Sequence, residues 1–221
     1  MMRRVNGIQT IDRRDRTGLL VAAAIVVSML AGCSTTTSKP VETRPAANLE
    51  VVDESGFTIA EEQIVSEEVN FAYQEALRRL EQGMLDDGIA RLVQVTESVP
   101  ELAAPRINIG IAYHVAGDIE SAEAELIRAV ELNPLHPVAH NELGIIYRKT
   151  GRFTEARASY EAALDIYPGY HHARKNLAIL CDLYLSDAAC AMQNYEAYMA
   201  TVPNDAEVDI WMADLRLRMG N

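Results

Sequence analysis

The sequence is poor in the residues that mark several protein classes. Eight prolines and twelve glycines among 221 residues are too few for a collagen-like or low-complexity chain. Basic residues are outnumbered, with 20 Lys+Arg against 32 Asp+Glu and a net charge of −12. Nucleic acid is therefore excluded as a main partner, because a phosphate backbone needs a basic surface. No apolar run reaches the ~20 residues of a membrane-crossing helix; the longest, residues 18–32, has 15. Aromatics supply only 6%. What is abundant is Ala, Leu, Ile and Glu, which favours an all-α fold. A hydrophobic share of 49% excludes wholesale disorder. The length suits one ordinary domain or two small ones.

The apolar run has a basic flank of Arg3, Arg4, Arg13, Arg14 and Arg16, the layout of an export signal. It ends in Leu30-Ala31-Gly32-Cys33, which resembles the bacterial lipobox. The resemblance implies cleavage after residue 32 and acylation of Cys33, which becomes the first mature residue. Several acyl chains hold a membrane stably where one does not. Ser34 follows, where aspartate would be the inner-membrane retention signal, so the resemblance implies the outer membrane, facing the periplasm. Without residues 1–32 the chain carries 15 basic and 30 acidic residues, net −15. Such a body is not drawn to an anionic membrane surface, and the lipid must do the anchoring. Residues 33–68 then read as a lipid-anchored flexible tether leading into a first helix. Its first 28 or so residues, with Pro40 and Pro45, have a coil reach of roughly 30 Å.

Beyond the tether the sequence repeats. Ile109, Gly110, Tyr113, Gly117, Ala122, Leu126, Ala129 and Pro134 recur in one constant register as Leu143, Gly144, Tyr147, Gly151, Ala156, Tyr160, Ala163 and Pro168. A 34-residue period with this pattern is the signature of the tetratricopeptide (TPR) family, and the chain resembles it. The predicted fold is all-α, a helix-turn-helix solenoid. It has four units (69–102, 103–136, 137–170, 171–204) and a capping helix in 205–221. Asp118 and Thr154 are expected near the starts of second helices. Gly117 and Gly151 end first helices, and Pro134 and Pro168 end second ones. Unit one is expected to fit with a one-residue slip in its first helix, and unit four with one inserted residue near 186–189. Ile210, Trp211, Leu215 and Leu217 mark the cap by their helical spacing.

Cys181 and Cys190 remain as an even pair in an exported chain. They read either as a disulfide across the turn of unit four or as two buried small hydrophobes. His136 and His140 are four apart, but Pro137 lies between and no cysteine or carboxylate completes a ligand set. No metal and no cofactor are expected. No Gly-x-Ser-x-Gly, phosphate loop or His-Glu-x-x-His occurs, and Glu67-Glu68 and Asp86-Asp87 suit a solvated helix face. The expectation is a binding protein and not an enzyme.

In the family, side chains from first helices line a concave face. Matched residue by residue, the resemblance implies a peptide groove of Ile107, Asn108, Ile111 and His114 in unit two. Unit three adds Val138, Asn141, Ile145 and Arg148, and unit four His172, Lys175, Asn176 and Ile179. Amides would bond a peptide backbone while the Ile strip buries its apolar side chains; against this, some of the Ile residues seal gaps between helices. The family's clamp for a free C-terminal carboxylate is not matched, since Ile107 and Ile111 occupy its first two places. The layout resembles that of TPR lipoproteins that assist type IV pilus secretins. It implies a protein or peptide partner in an envelope machine. Rival readings are an adaptor for peptidoglycan synthases or hydrolases, an adaptor for a TonB-type system, a spacer or oligomeric scaffold, and a peptidoglycan-active enzyme.

Overall fold

A computed structural model describes residues 58–220, together with 4–5, 8–10 and 47–52, and side chains from Val65 onward. From Ser66 the described chain is helical. Nine helices follow in order: α1 Glu67–Glu81, α2 Leu85–Ser98, α3 Ala103–Ala116, α4 Ile119–Leu132, α5 Pro137–Lys149, α6 Phe153–Ile166, α7 His171–Leu183, α8 Ala188–Thr201 and α9 Ala206–Arg218. They pair as α1/α2, α3/α4, α5/α6 and α7/α8, each pair packing on the next, and α9 packs on α8. The expected solenoid of four units and a terminal helix is what the structure contains.

Local chemistry sets the boundaries. Ser66, Asp118, Asp187 and Asp205 cap α1, α4, α8 and α9 by accepting from backbone N–H groups of the first turn, as short polar side chains do. Thr154 is not a cap, because α6 starts at Phe153 and Thr154 lies inside it. The turn after α3 needs a left-handed residue, and Gly117 supplies φ +86° there, as Gly151 does with +77° after α5.

Packing repeats with the sequence. The first helices carry Ala76, Gly110, Gly144 and Ala178 at one register, all buried, and the second helices carry Gly88, Ala122, Ala156 and Ala191. These small residues let the two helices of a pair approach. A Cβ added at Gly110 would lie 2.6 Å from Leu126 Cγ, and one at Gly144 2.4 Å from Tyr160 Cε1. Leu92, Leu126, Tyr160 and Tyr195 fill the space opposite, each at most 1% exposed. Tyr73 and Ala76 stand one full repeat before Ile107 and Gly110 and are buried as they are. The first unit therefore needs no one-residue slip. The extra residue of unit four does lie in the α7–α8 turn, where Ser186 takes φ +53°. On α9 the buried residues are Val208, Met212 and Leu215, with Trp211 half-buried. Ile210 and Leu217 point outward, so spacing alone selected two residues of the wrong face.

Four short strands precede the helices: β1 Arg4–Val5, β2 Ile8–Thr10, β3 Ala47–Val52 and β4 Thr58–Val65. They form an antiparallel sheet in the order β1-β2-β4-β3, with Val51 opposite Ile59 and Ile8 opposite Glu61. β3 runs beside α1 and α3. The segment expected as a structureless tether thus contains two strands, and its β-branched Val51, Val52, Thr58, Ile59, Ile64 and Val65 suit them. Cys33 lies outside the described residues.

Candidate functional site

Successive first helices touch one another, α1 with α3, α3 with α5 and α5 with α7, more closely than successive second helices do. The stack therefore bends towards its first helices, and the side they turn away from the second helices is the inner face.

Three of the expected groove residues form a line on this face. Ile111, Ile145 and Ile179 follow one another at the repeat spacing, half-buried against the core with one side open. Ile107 does not join them, being wholly buried, and Val138 is 5% exposed. Both belong to the core and are closed to a ligand.

The amides are already engaged. Asn108 Nδ2 donates to Tyr73 Oη of α1 at 2.8 Å and to the Ala104 carbonyl at 3.0 Å. Asn176 Nδ2 of α7 donates to Asn141 Oδ1 of α5 at 3.0 Å, and Asn141 Nδ2 donates to Glu142 at 3.0 Å. Asn141 is buried. The Tyr73 and Asn141 bonds run from one unit to the next, so they fix the spacing of first helices.

Glu142 was not among the expected residues, although it sits one repeat after Asn108 and one repeat before Asn176. The repeat register alone would have found it. Burial pushes its carboxyl up to about 7, against the pull of the Asn141 bond and the His172 ring. A half-buried carboxyl in the middle of the face is thus largely protonated below neutrality.

Lys175 points to the far end of the face. Its Nζ lies 2.9 Å from Asp205 Oδ2, with the rings of Tyr198 and Trp211 centred 5.4 and 5.3 Å away. Asp205 also accepts from Tyr198 Oη at 2.8 Å and from the Val208 N–H at 3.2 Å. The Lys175 and Tyr198 bonds pull its carboxyl down to about 2. Lys175 therefore ties α7 to α9. His172 is half-buried beside the ring of Tyr170, 5.7 Å between centroids.

His114 and Arg148 end the face at the C-terminal ends of α3 and α5. Arg148 Nε reaches Tyr160 Oη at 3.4 Å, and its guanidinium lies 5.8 Å from the Tyr184 ring centre. Burial, then Lys149 and Arg148, hold the His114 ring below the ordinary histidine value. Its Nε2 is buried and makes no hydrogen bond.

Away from this face, Cys181 and Cys190 are joined as a disulfide, with Cα atoms 5.8 Å apart. Their sulfurs and an Asp187 oxygen lie within 4.8 Å of one another, the one such trio among the described residues. Both thiols are consumed by the bond, and Asp187 caps α8, so the trio braces the turn. His136, by contrast, is fully buried with neither ring nitrogen bonded, and burial drives it down to about 3.

Among known proteins, residues 107–171 match the tetratricopeptide repeat family profile. No relative among curated proteins matches the sequence. Solved structures are similar in fold. PilF of Pseudomonas aeruginosa superposes with a TM-score of 0.63 at 20% identity, covering 68% of this chain and 68% of that one. MamA of Desulfovibrio magneticus RS-1 gives 0.61 at 17%, covering 70% and 87%. A thermophilic TPR protein of Thermus thermophilus gives 0.58 at 21%, covering 68% and 82%. The helical part of the chain has the fold of a tetratricopeptide-repeat solenoid.

Proposed function

We propose that the protein is a non-enzymatic scaffold that holds a segment of another polypeptide along its inner face. The observation that carries this reading is the line Ile111, Ile145 and Ile179, a half-open apolar strip at the repeat spacing. The engaged asparagines make the face stiff, and a stiff groove costs a ligand less to bind. The basic flank and the lipobox-like Leu30-Ala31-Gly32-Cys33 support a place at the cell envelope. In this reading the protein is acylated at Cys33, held in the outer membrane, and helps assemble a pilus or secretin type of machine.

Photo-crosslinking from a reactive amino acid placed at Ile145 tests it in whole cells. The expected result is a discrete adduct with one envelope protein, lost on Ile111→Glu. A uniform smear, or an adduct that survives Ile111→Glu, overturns the reading. Mass spectrometry of the mature amino terminus tests the anchor. A fatty-acylated Cys33 is expected, and an unmodified terminus elsewhere refutes it.

A further inference from the structure

The described chain answers most of its cations with its own carboxylates. Arg78, Arg79, Arg91, Arg106, Arg128, Arg152, Arg157, Lys175 and Arg218 each have one within ion-pair distance. Arg148 and Lys149 have none among the described residues, on a body that is strongly acidic. Arg174 and Arg216 share this state but lie away from the inner face. The two on α5 stand beside His114, whose Nε2 is buried and unbonded. Both lie close enough to that ring to lower its proton affinity.

Nearby carboxylates are occupied. Asp182, one repeat on from Arg148, holds Arg218 at 2.7 Å. Glu123 and Glu155 both hold Arg152. Glu142, higher on the same face, is largely protonated below neutrality. Arg148 and Lys149 both lie in the last turn of α5, where a cation complements the helix dipole, but a dipole end is not a carboxylate. The Arg148 guanidinium turns to Tyr160 and Tyr184. Those contacts hold the fork in place without neutralising it. One turn back on each helix stand Ile111 and Ile145, on the same side as His114 and Arg148.

We infer that Arg148 and Lys149, one repeat on from the packed His114 ring, form an anion-recognition site at one end of the inner face. It seats a carboxylate side chain of an acidic, aliphatic peptide segment of a partner protein, whose apolar residues lie on Ile111 and Ile145. This rests on the scaffold reading above and adds the partner's chemistry to it. A guanidinium takes a carboxylate in two parallel bonds. The site differs from the terminal-carboxylate clamp, which needs lysine and asparagine where this chain has Ile107 and Ile111.

The probes are two fluorescein-labelled, end-blocked peptides of one aliphatic sequence, one with three aspartates and one with asparagines in their places. Binding is read by fluorescence polarisation with the full chain in mild detergent. The aspartate peptide should bind about tenfold tighter, the scale of one charge-assisted contact. That preference should disappear in Arg148→Gln with Lys149→Gln, and shrink in raised salt. Lys149→Gln alone changes an exposed side chain, cannot unfold the protein, and should still weaken the preference. Ile145→Asp should weaken both peptides. Equal binding of the two peptides, or a preference untouched by the glutamine variants, overturns the inference. So does a failure of both peptides to bind. The scaffold reading is judged separately by the Ile145 crosslink, which needs no acidic ligand. A dimer in sedimentation that vanishes with Arg148→Gln would make a second copy the occupant, and would overturn the claim of a foreign partner.

Discussion

Replacing Gly144 with alanine tests the close approach on which each helix pair depends. A Cβ there would lie 2.4, 2.6 and 2.9 Å from Cε1, Cδ1 and Cζ of Tyr160. None of these is a normal separation, so ring or backbone must move. The Tyr160 ring is fully buried and its hydroxyl is held by Arg148, so the movement is resisted on both sides. Overpacking of this kind costs about 1–3 kcal/mol. Alanine recovers up to ~1 kcal/mol through its helix propensity. With three ring atoms in collision the cost sits in the upper part of its range, and a net loss of about 1–2 kcal/mol follows. In urea, followed by circular dichroism, this lowers the midpoint by about 0.5–1 M at a slope of roughly 2 kcal/mol/M. The penalty should shrink when Tyr160→Leu is also present, because the colliding ring is gone. Gly88→Ala, whose Cβ would meet Cδ2 and Cγ of the half-buried Leu80 at 2.3 and 2.7 Å and its backbone N at 3.2 Å, should cost a similar amount. A Gly144→Ala protein as stable as the parent, or equally harmed with and without Tyr160, would refute the argument. Because Tyr160 positions Arg148, the same variant should also blunt the aspartate-over-asparagine preference.

Other perturbations follow from single groups. Glu142, held at about 7 against an ordinary value of about 4.3, keeps its proton in the fold where the unfolded chain releases it. Stability should therefore fall as pH rises from about 4.5 to about 7. Glu142→Gln should remove that decline, with a gain of ~1–3 kcal/mol at pH 8 and none at pH 4. His136, held at about 3, has the opposite sign. It withdraws stability as pH falls below about 6.5, and His136→Leu should flatten this acid limb in thermal melts. Asp205→Ala removes a cap and two side-chain bonds, and should cost ~1–2 kcal/mol. Amide exchange should locate the loss in α9. Reducing the Cys181–Cys190 bond, which closes a short loop, should lower stability by ~2–3 kcal/mol on the chain-entropy account. No change in the urea midpoint with reductant would count against that.

The repeat was legible because its period is enforced by contact. Small residues at Gly110, Ala122, Gly144 and Ala156 meet large ones at Leu126 and Tyr160, and that alternation is visible in the sequence itself. The inner face was legible in outline but not in detail. Its address in the repeat selected Ile111, Ile145 and Ile179, which the fold leaves half-buried, and also Ile107, which the fold buries completely. The asparagines were read as ligands for a peptide because their type is polar. In the fold they bond Tyr73, Asn141 and Glu142, a use that depends on three-dimensional neighbours. Thr154 looked like a cap, but α6 begins one residue before it and needs no side-chain cap. The strands β3 and β4 were missed because their β-branched residues do not alternate with polar ones in a regular period.

Among the described residues α9 has no following helix to pair with. One carboxylate, Asp205, starts its first turn, receives Lys175 from α7 and receives Tyr198 from α8. At the other end of the helix Arg218 pairs with Asp182 of α7 at 2.7 Å, so a load applied at the carboxyl end would be borne first by that pair and only then by Asp205. The rod should therefore come apart by peeling from this end, with α9 released before any helix pair opens. Whatever such a protein is attached to, it can shed its final helix and keep the face of Ile111 and Ile145 intact.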